Sequence, residues 1–272
     1  MKLQKEYIEI AKAYANLFKE DPNVIGVTLN GGVSRGTGDE FSEIDLHFYV
    51  KDKNKTKNLP PRMPTIGNDV AINGVWFDIY VKEIEKYKKK ILGMSEKWDL
   101  ANAKIIFDKK NQIKNLIKKK TTLSKDEKID IEEDYGFGSE WCLQLAEIFV
   151  NRGDLRNAHM LIINSLDYFV NYYFYLNKKL IPHFKWKYYY FQKLRRPSKK
   201  IKDFIFENLR IKNYSKKEAL RKIRDIRKIL NKELERKDDC VHEQDINAIK
   251  NFKLSLKKGL SYSNPFEVGD EI

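Results

Sequence analysis

The stretch from Asn23 to Val50 constrains the fold more than any other part of this chain. Val24 to Asn30 is mostly apolar and predicts a buried β-strand, and the glycine-rich residues from Gly31 to Gly36 predict a turn directly after it. A second strand is predicted to begin near Ser42. This order places the side chains at the start of the second strand next to the glycine-rich segment.

Two acidic residues lie two positions apart on the predicted second strand. Because strand side chains alternate between faces, Glu43 and Asp45 project the same way, whereas Ile44, Leu46 and Phe48 take the other face. Neighbouring carboxylates repel each other unless a cation or protons lie between them. The pattern therefore indicates a divalent-cation site beside a turn suited to phosphates, which is typical of a nucleotide-handling site.

A third acidic residue falls in a predicted β-hairpin. Asn73-Gly74 favours a tight turn between Val70–Ile72 and Val75–Val81. Asp78 lies within the apolar second arm, where a charge is costly unless a metal or a hydrogen-bond donor compensates it. We therefore expect Asp78 to be the third carboxylate of the site. The alternative is an acid on an edge strand that points to water.

The net charge indicates which classes of partner the protein could bind, and the cysteine content indicates its cellular compartment. The 53 basic and 39 acidic residues give a formal net charge of +14, which favours anionic partners such as nucleotides or RNA. The alternative is that most of the lysine runs lie on solvated surface and reflect only the lysine-rich composition. Cys142 and Cys240 lie outside any metal-ligand spacing, which fits a reducing cytoplasm. The sequence has neither a signal peptide nor a membrane-spanning apolar run, so we expect a soluble, cytoplasmic protein without a membrane partner.

The hydrophobic periodicity predicts an α+β fold in two domains. A small mixed β-sheet with flanking helices is predicted first, including a helix from Leu3 to Phe18 and a strand from Lys104 to Phe107. An all-α helical bundle follows. We place the boundary at Lys118 to Thr122, which gives domains of residues 1–120 and 121–272. The active cleft is expected between the two domains.

Beyond the boundary the periodicity is helical almost throughout. Ser124 and Glu127 have the spacing of a capping box, so a helix is predicted from there to about Asn151. Gly153 predicts the helix stop and Asp154 the N-cap of the next helix. Further helices are predicted at Ile201 to Leu209, Ser215 to Arg236 and His242 to about Leu256.

The segment from Gly31 to Gly36, Gly-Gly-x-x-Arg-Gly, followed by Glu43-x-Asp45 on a strand, resembles the nucleotidyltransferase superfamily. DNA polymerase beta and the aminoglycoside nucleotidyltransferases typify it. Members carry a Gly-Ser-x-x-x-Gly segment, then Asp-x-Asp, with a third carboxylate on a later strand. Here Gly32 stands where the serine often stands, and Glu43 replaces the first aspartate.

The resemblance implies an Mg²⁺-dependent nucleotidyltransferase domain that binds an NTP, expected to be ATP. Glu43, Asp45 and Asp78 would be both the metal ligands for one or two Mg²⁺ ions and the catalytic residues. In aminoglycoside-modifying members an acid at the place of Asp78 activates the acceptor hydroxyl, so this residue would be ligand, general base or both. The phosphates would be held by the glycine-rich segment, through Gly31, Gly32, Ser34, Arg35 and Gly36.

A second stretch, Asn177 to Trp186, resembles an Asn-x-x-x-x-Pro-x-x-Lys-Trp pattern in the helical domain of some bacterial and archaeal nucleotidyltransferases. Its loop ends at Pro182, and a helix is predicted to start beside Lys185, where free N–H groups attract anions. The resemblance implies that Lys185 reaches the triphosphate or the acceptor and that Trp186 lines the cleft. The alternative is an ordinary packing corner with a lysine over an aromatic surface.

The acceptor divides the functional hypotheses. An aminoglycoside-like small molecule is the first expectation from the resemblance, but a chain of +14 is poorly suited to attract a cation unless its cleft is acidic. That mismatch favours a second hypothesis, transfer to RNA, such as a tRNA end, or to a partner protein. A third is a non-catalytic nucleotide sensor or antitoxin-like module, suggested by Glu43 and the missing serine.

Overall fold

The computed structural model describes residues 2–55, 69–72 and 75–233, and its secondary structure is α+β, as predicted. The predicted Asn73-Gly74 turn and the predicted helix from His242 to about Leu256 lie outside these residues. Within the described ranges, no helix is long and apolar enough to cross a membrane.

The first half of the chain builds a sheet and its flanking helices. In chain order, its elements are α1 (Lys2–Asn16), β1 (Val24–Leu29), α2 (Gly31–Arg35), β2 (Ile44–Val50), β3 (Asp69–Ile72), β4 (Val75–Glu83), α3 (Ile84–Lys89), α4 (Met94–Ala101), β5 (Lys104–Asp108) and α5 (Gln112–Thr121). The described part of the second half is helical, with α6 (Lys125–Asn151), α7 (Leu155–Leu176), α8 (Phe184–Gln192), α9 (Lys199–Leu209) and α10 (Lys216–Glu233).

The sheet is mixed and has five strands in the order β3-β4-β2-β1-β5. β2 and β4 run parallel, and the other neighbouring pairs are antiparallel. β4 is therefore an interior strand, so the edge-strand alternative for Asp78 is wrong. In the parallel register, Asp45 of β2 lies directly opposite Asp78 of β4.

One face of the sheet is covered by α1. Tyr14 of this helix packs 5.1 Å from Phe77, and Phe18, just after the helix, packs 5.2 Å from Phe48, measured between ring centroids. The full burial of Phe48 and Phe77 contributes about 1.5–3 kcal/mol each to folding. On the other face, a buried cluster packs at the far end of the sheet and consists of Ile25, Tyr49, Ile84, Ile113 and Leu116. The carboxylate-bearing ends of β2 and β4 lie on this face, beyond the cluster.

The helical half has its own buried core, centred on α6, α7 and α10. Leu143, Ile162, Phe169 and Ile226 are among its fully buried members. α6 begins with the predicted capping box, in which Ser124 and Glu127 each accept a hydrogen bond from the other residue's backbone N–H. α7 begins at the predicted N-cap, where Asp154 accepts from the Asn157 N–H. These local predictions are confirmed.

Two local predictions near the site are wrong in detail, and one helix was missed. The glycine-rich segment forms the short helix α2 rather than a turn, and β2 begins at Ile44, so Glu43 precedes the strand. The helix α4 was not predicted. Lys97 of α4 forms an ion pair with Glu127 of α6 and so connects the sheet half to the helical half. The division into domains at residues 120 and 121 stays a prediction.

Candidate active site

The structure brings the three predicted acids together. The side chains of Glu43, Asp45 and Asp78 each offer a carboxylate oxygen, and these oxygens all lie within 4.8 Å of one another. Oxygens that share one divalent cation at about 2.1 to 2.5 Å lie within about 5 Å of each other. The arrangement follows from the parallel pairing of β2 and β4, which sets Asp45 opposite Asp78. The cluster is compatible with a divalent metal ion.

The electrostatics of the cluster favour a bound cation. Burial, followed by the negative charges of Glu43 and Asp78, raises the pKa of Asp45 to about 7. The positive charges of Arg35 and Lys185 oppose this rise without cancelling it. The folded protein therefore holds negative charge that it disfavours, and either protons or a cation relieves that cost.

Gly31 allows the backbone to pass close to the central carboxylate. Its φ is +64°, and a Cβ atom built on it would lie 1.6 Å from Oδ2 of Asp45. A residue with a side chain would therefore clash with the carboxylate and would also be strained in the left-handed region. At the preceding residue, the backbone N–H of Asn30 donates a hydrogen bond to the Asp45 carbonyl at 2.8 Å. This bond holds the end of β1 beside the start of β2.

Other residues of the glycine-rich segment are placed away from the cleft. Ser34 is 3% exposed, and its hydroxyl lies 2.9 Å from the Gly31 carbonyl and 3.1 Å from the Asn102 carbonyl. Its single hydrogen is thus engaged by backbone, which does not fit the predicted role in phosphate binding. Gly36 ends α2 at φ +84°, and neither it nor Gly32 lines the cleft among the described residues.

Arg35 is held between two indole rings. Its guanidinium lies 4.7 Å from the ring of Trp98 and 5.2 Å from that of Trp186, and its Nη1 is 3.2 Å from Asp99 Oδ1. Stacked and paired in this way, the guanidinium has a fixed orientation toward the cleft. Trp186, which the resemblance implied would line the cleft, is not among the described lining residues, and its ring lies against Arg35. Its role in binding stays a prediction.

Lys185 is placed where the sequence predicted it, at the start of a helix and beside the cleft. α8 begins at Phe184 after the N-cap His183. Lys185 lines the cleft, and its charge lowers the pKa of Asp45. The helical half of the chain therefore contributes a cation to the wall that faces the carboxylates.

The complete cleft is a cavity of about 430 Å³. Sequence reasoning missed more than half of the residues that line it, namely Asn30, His47, Tyr80, Lys82, Tyr87, Lys90, Glu96, Asp99, Leu100 and His183. Strand alternation offered a signal for three of them, because His47 follows Asp45 by two residues, and Tyr80 and Lys82 follow Asp78 by two and four. Glu96 and Asp99 come from the unpredicted α4.

We expect the affinity of the protein for Mg²⁺ to increase with pH up to about pH 7. The pKa of Asp45 is raised from its ordinary 3.8 to about 7, so below that pH a proton competes with the metal for the cluster. Between about pH 5 and 7 the affinity is expected to rise by up to about tenfold per pH unit. Titration calorimetry with Mg²⁺ across this range checks the slope, and an affinity that stays constant would contradict it.

Together, the fold and the site define an α+β protein with three clustered carboxylates in a cleft lined by basic residues. No protein-family profile matches the sequence, and no curated protein matches it significantly. Among solved structures, the chain is similar to the crystal structure of a nucleotidyltransferase-like protein from Exiguobacterium sibiricum 255-15. The TM-score is 0.49 and the sequence identity 12%, and the match covers 96% of each chain. The function proposed below rests on the residues of the cleft.

Proposed function

We propose that the protein is a divalent-metal-dependent nucleotidyltransferase that transfers an NMP, expected to be AMP from ATP, to a hydroxyl group. One observation carries this proposal. The oxygens of Glu43, Asp45 and Asp78 converge within 4.8 Å in a cleft that also presents Arg35 and Lys185. Clustered carboxylates serve to hold cations, and fixed guanidinium and ammonium groups serve to hold phosphates. The combination fits a metal–nucleotide complex.

The metal would be held by the three carboxylates. When bound, Mg²⁺ would neutralise charge on the phosphates and favour departure of pyrophosphate. Carboxylate oxygens are the ligands that Mg²⁺ prefers, and burial and the neighbouring acids raise the pKa of Asp45, so a bound cation would relieve the cost of its charge. The residues present therefore fit this ion.

The remaining chemistry is carried by side chains of the cleft. Arg35 and Lys185 would contact the phosphates and offset the negative charge that develops during transfer. The acceptor oxygen forms a bond to the α-phosphorus as the bond to the bridging oxygen of the β-phosphate breaks, and pyrophosphate leaves. The hydroxyl proton passes to a carboxylate, for which Asp78 is our candidate. Gly31 and Asn30 set the position of Asp45 beside the reacting group.

The acceptor in this proposal is a small molecule with a hydroxyl group. RNA or a partner protein is the second candidate, and the basic charge of the chain supports it. A small-molecule acceptor and a macromolecular acceptor require the same transfer chemistry at the carboxylates. An experiment therefore distinguishes them by which molecule receives the labelled nucleotide.

We expect the purified protein, incubated with Mg²⁺ and α-labelled NTPs, to transfer label to an acceptor and to release one pyrophosphate per transfer. The reaction is run with each NTP separately, and with tRNA, aminoglycosides or cell lysate as the acceptor source. Chelation of Mg²⁺ should abolish transfer. Nucleotide binding without pyrophosphate release under every condition would contradict the enzyme and would indicate the non-catalytic nucleotide sensor instead.

A further inference from the structure

A second basic side chain lies in the cleft, away from the carboxylate cluster. Lys82 belongs to β4 and lines the cleft on the same side as Asp78, four residues earlier. At a rise of about 3.3 Å per residue, the two positions are about 13 Å apart along the strand. The cleft thus has a carboxylate end, at Asp78, and an ammonium end, at Lys82.

The ammonium of Lys82 lies next to an imidazole and a phenol ring. Its Nζ lies 2.9 Å from Nδ1 of His47 and 4.6 Å from the ring centroid of Tyr87. Within the part of the chain that the structure describes, Lys82 forms no ion pair. Burial, with a smaller contribution from the nearby positive charge of Lys90, lowers its pKa to about 8.

The acids closest to this end of the cleft are already engaged elsewhere. Glu96 accepts a hydrogen bond from Lys90 at 2.5 Å and another from the Gly93 N–H at 3.0 Å. Asp99 is paired with Arg35 at 3.2 Å. Both acids favour the charged form of Lys82 at a distance, but neither is its counter-ion. A partly buried ammonium without a counter-ion is costly, and an anionic ligand would remove that cost.

We propose that the Lys82 end of the cleft binds an anionic group, a phosphate or a carboxylate, and that the acceptor of the reaction carries this group. The assignment to an acceptor rests on the proposed function. The same chemistry is present in the phosphates of the NTP, but these are expected at the carboxylate end of the cleft, and Asp78 at that end lies about 13 Å from Lys82 along the strand. An anionic acceptor also agrees with the net charge of +14, whereas a cationic aminoglycoside does not.

The binding step can be tested without any catalysis. The metal-free protein is treated with an amine-acylating reagent, and the acylation rate of each lysine is read by mass spectrometry. With inorganic phosphate present, acylation of Lys82 is expected to slow by about tenfold, since the bound anion holds the amine protonated and covers it. Exposed Lys104, on β5, serves as the control and should react at an unchanged rate. Equal rates for Lys82 with and without phosphate would overturn the proposal.

Variants identify the source of the anion. We expect Lys82→Met to weaken phosphate binding to the metal-free protein by at least about tenfold, with any residual binding at Arg35 and Lys185, and Lys82→Arg to retain it, because arginine keeps the charge. With Mg²⁺ present, the dissociation constant of ATP should change by less than about twofold in Lys82→Met. A rise of about tenfold would assign the anion to the nucleotide and would overturn the assignment to the acceptor.

Failure of this inference is distinguishable from failure of the proposed function. Protection of Lys82 by phosphate in a protein that transfers no nucleotide would contradict only the transferase, and the anion site would stand. Transfer to an acceptor with no protection of Lys82 would contradict only the anion site. Transfer to an anionic acceptor whose KM rises at least about tenfold in Lys82→Met, with kcat little changed, would support both.

Discussion

The Asp45→Asn variant is expected to lose nucleotidyl transfer by a factor on the order of 10³, the size found when a group that stabilises transition-state charge is removed. Asn and Asp have the same shape, so the backbone bond from Asn30 to residue 45 is retained. What disappears is the negative charge between Glu43 and Asp78. Pyrophosphate release and Mg²⁺ affinity, measured on the same preparation, check the result.

The same substitution is expected to stabilise the metal-free protein above pH 7. Because the pKa of Asp45 is raised from 3.8 to about 7, its ionised form costs stability above pH 7, and this cost declines as the pH falls from 7 toward 4. Asparagine carries no charge, so the variant does not have this stability cost. Thermal unfolding at pH 8 and pH 5 therefore gives a larger gain at pH 8. A variant that is less stable at both pH values would contradict this account.

The matched control is Glu40→Gln, which removes one negative charge from the exposed loop just before the cluster. It lowers the net negative charge of the region as much as Asp45→Asn does, but it leaves the three clustered carboxylates in place. Transfer should stay within about twofold of the wild type, as for most surface substitutions. If Asp45→Asn behaved like this control, the carboxylate cluster would have no part in the reaction.

Much of the site could be predicted because it depends on local rules. Alternation along a strand placed Glu43 and Asp45 on one side, and the unusual acid in an apolar strand marked Asp78. The same alternation applies to His47, two residues after Asp45, and to Lys82, four residues after Asp78. We did not extend it, because a lysine on a strand of a lysine-rich chain resembles a solvated surface residue. Only the three-dimensional cleft shows that Lys82 is partly buried.

Other features could not be predicted because they depend on contacts between distant segments. Arg35 lies between Trp98 and Trp186, which are more than 60 and 150 positions away in the sequence, and no local pattern indicates their meeting. The glycine-rich segment was expected to be a turn because glycine is frequent in turns. In the structure, Gly31 and Gly36 instead supply positive φ angles at the two ends of the helix α2.

The Gly31→Ala variant is expected to lose metal affinity by at least about tenfold and to destabilise the protein. An alanine Cβ at this position would lie 1.6 Å from Oδ2 and 2.3 Å from Cγ of Asp45, so the carboxylate must move away from Glu43 and Asp78. The left-handed backbone adds a strain of about 1–2 kcal/mol. Calorimetric titration with Mg²⁺ and thermal unfolding measure the two effects separately.

The Gly36→Ala variant is a control that introduces the backbone strain of a positive φ without the steric clash with Asp45. Gly36 has a φ of +84°, so the backbone cost of alanine is similar there, but within the described ranges no atom beyond its chain neighbours lies within 4 Å of the added Cβ. We expect this variant to lose about 1 kcal/mol of stability and to bind Mg²⁺ like the wild type. The difference between the two variants then reports the displacement of Asp45 alone. Equal metal affinity in Gly31→Ala and Gly36→Ala would show that the position of this carboxylate does not matter for the ion, and the metal-dependent mechanism would have to be abandoned.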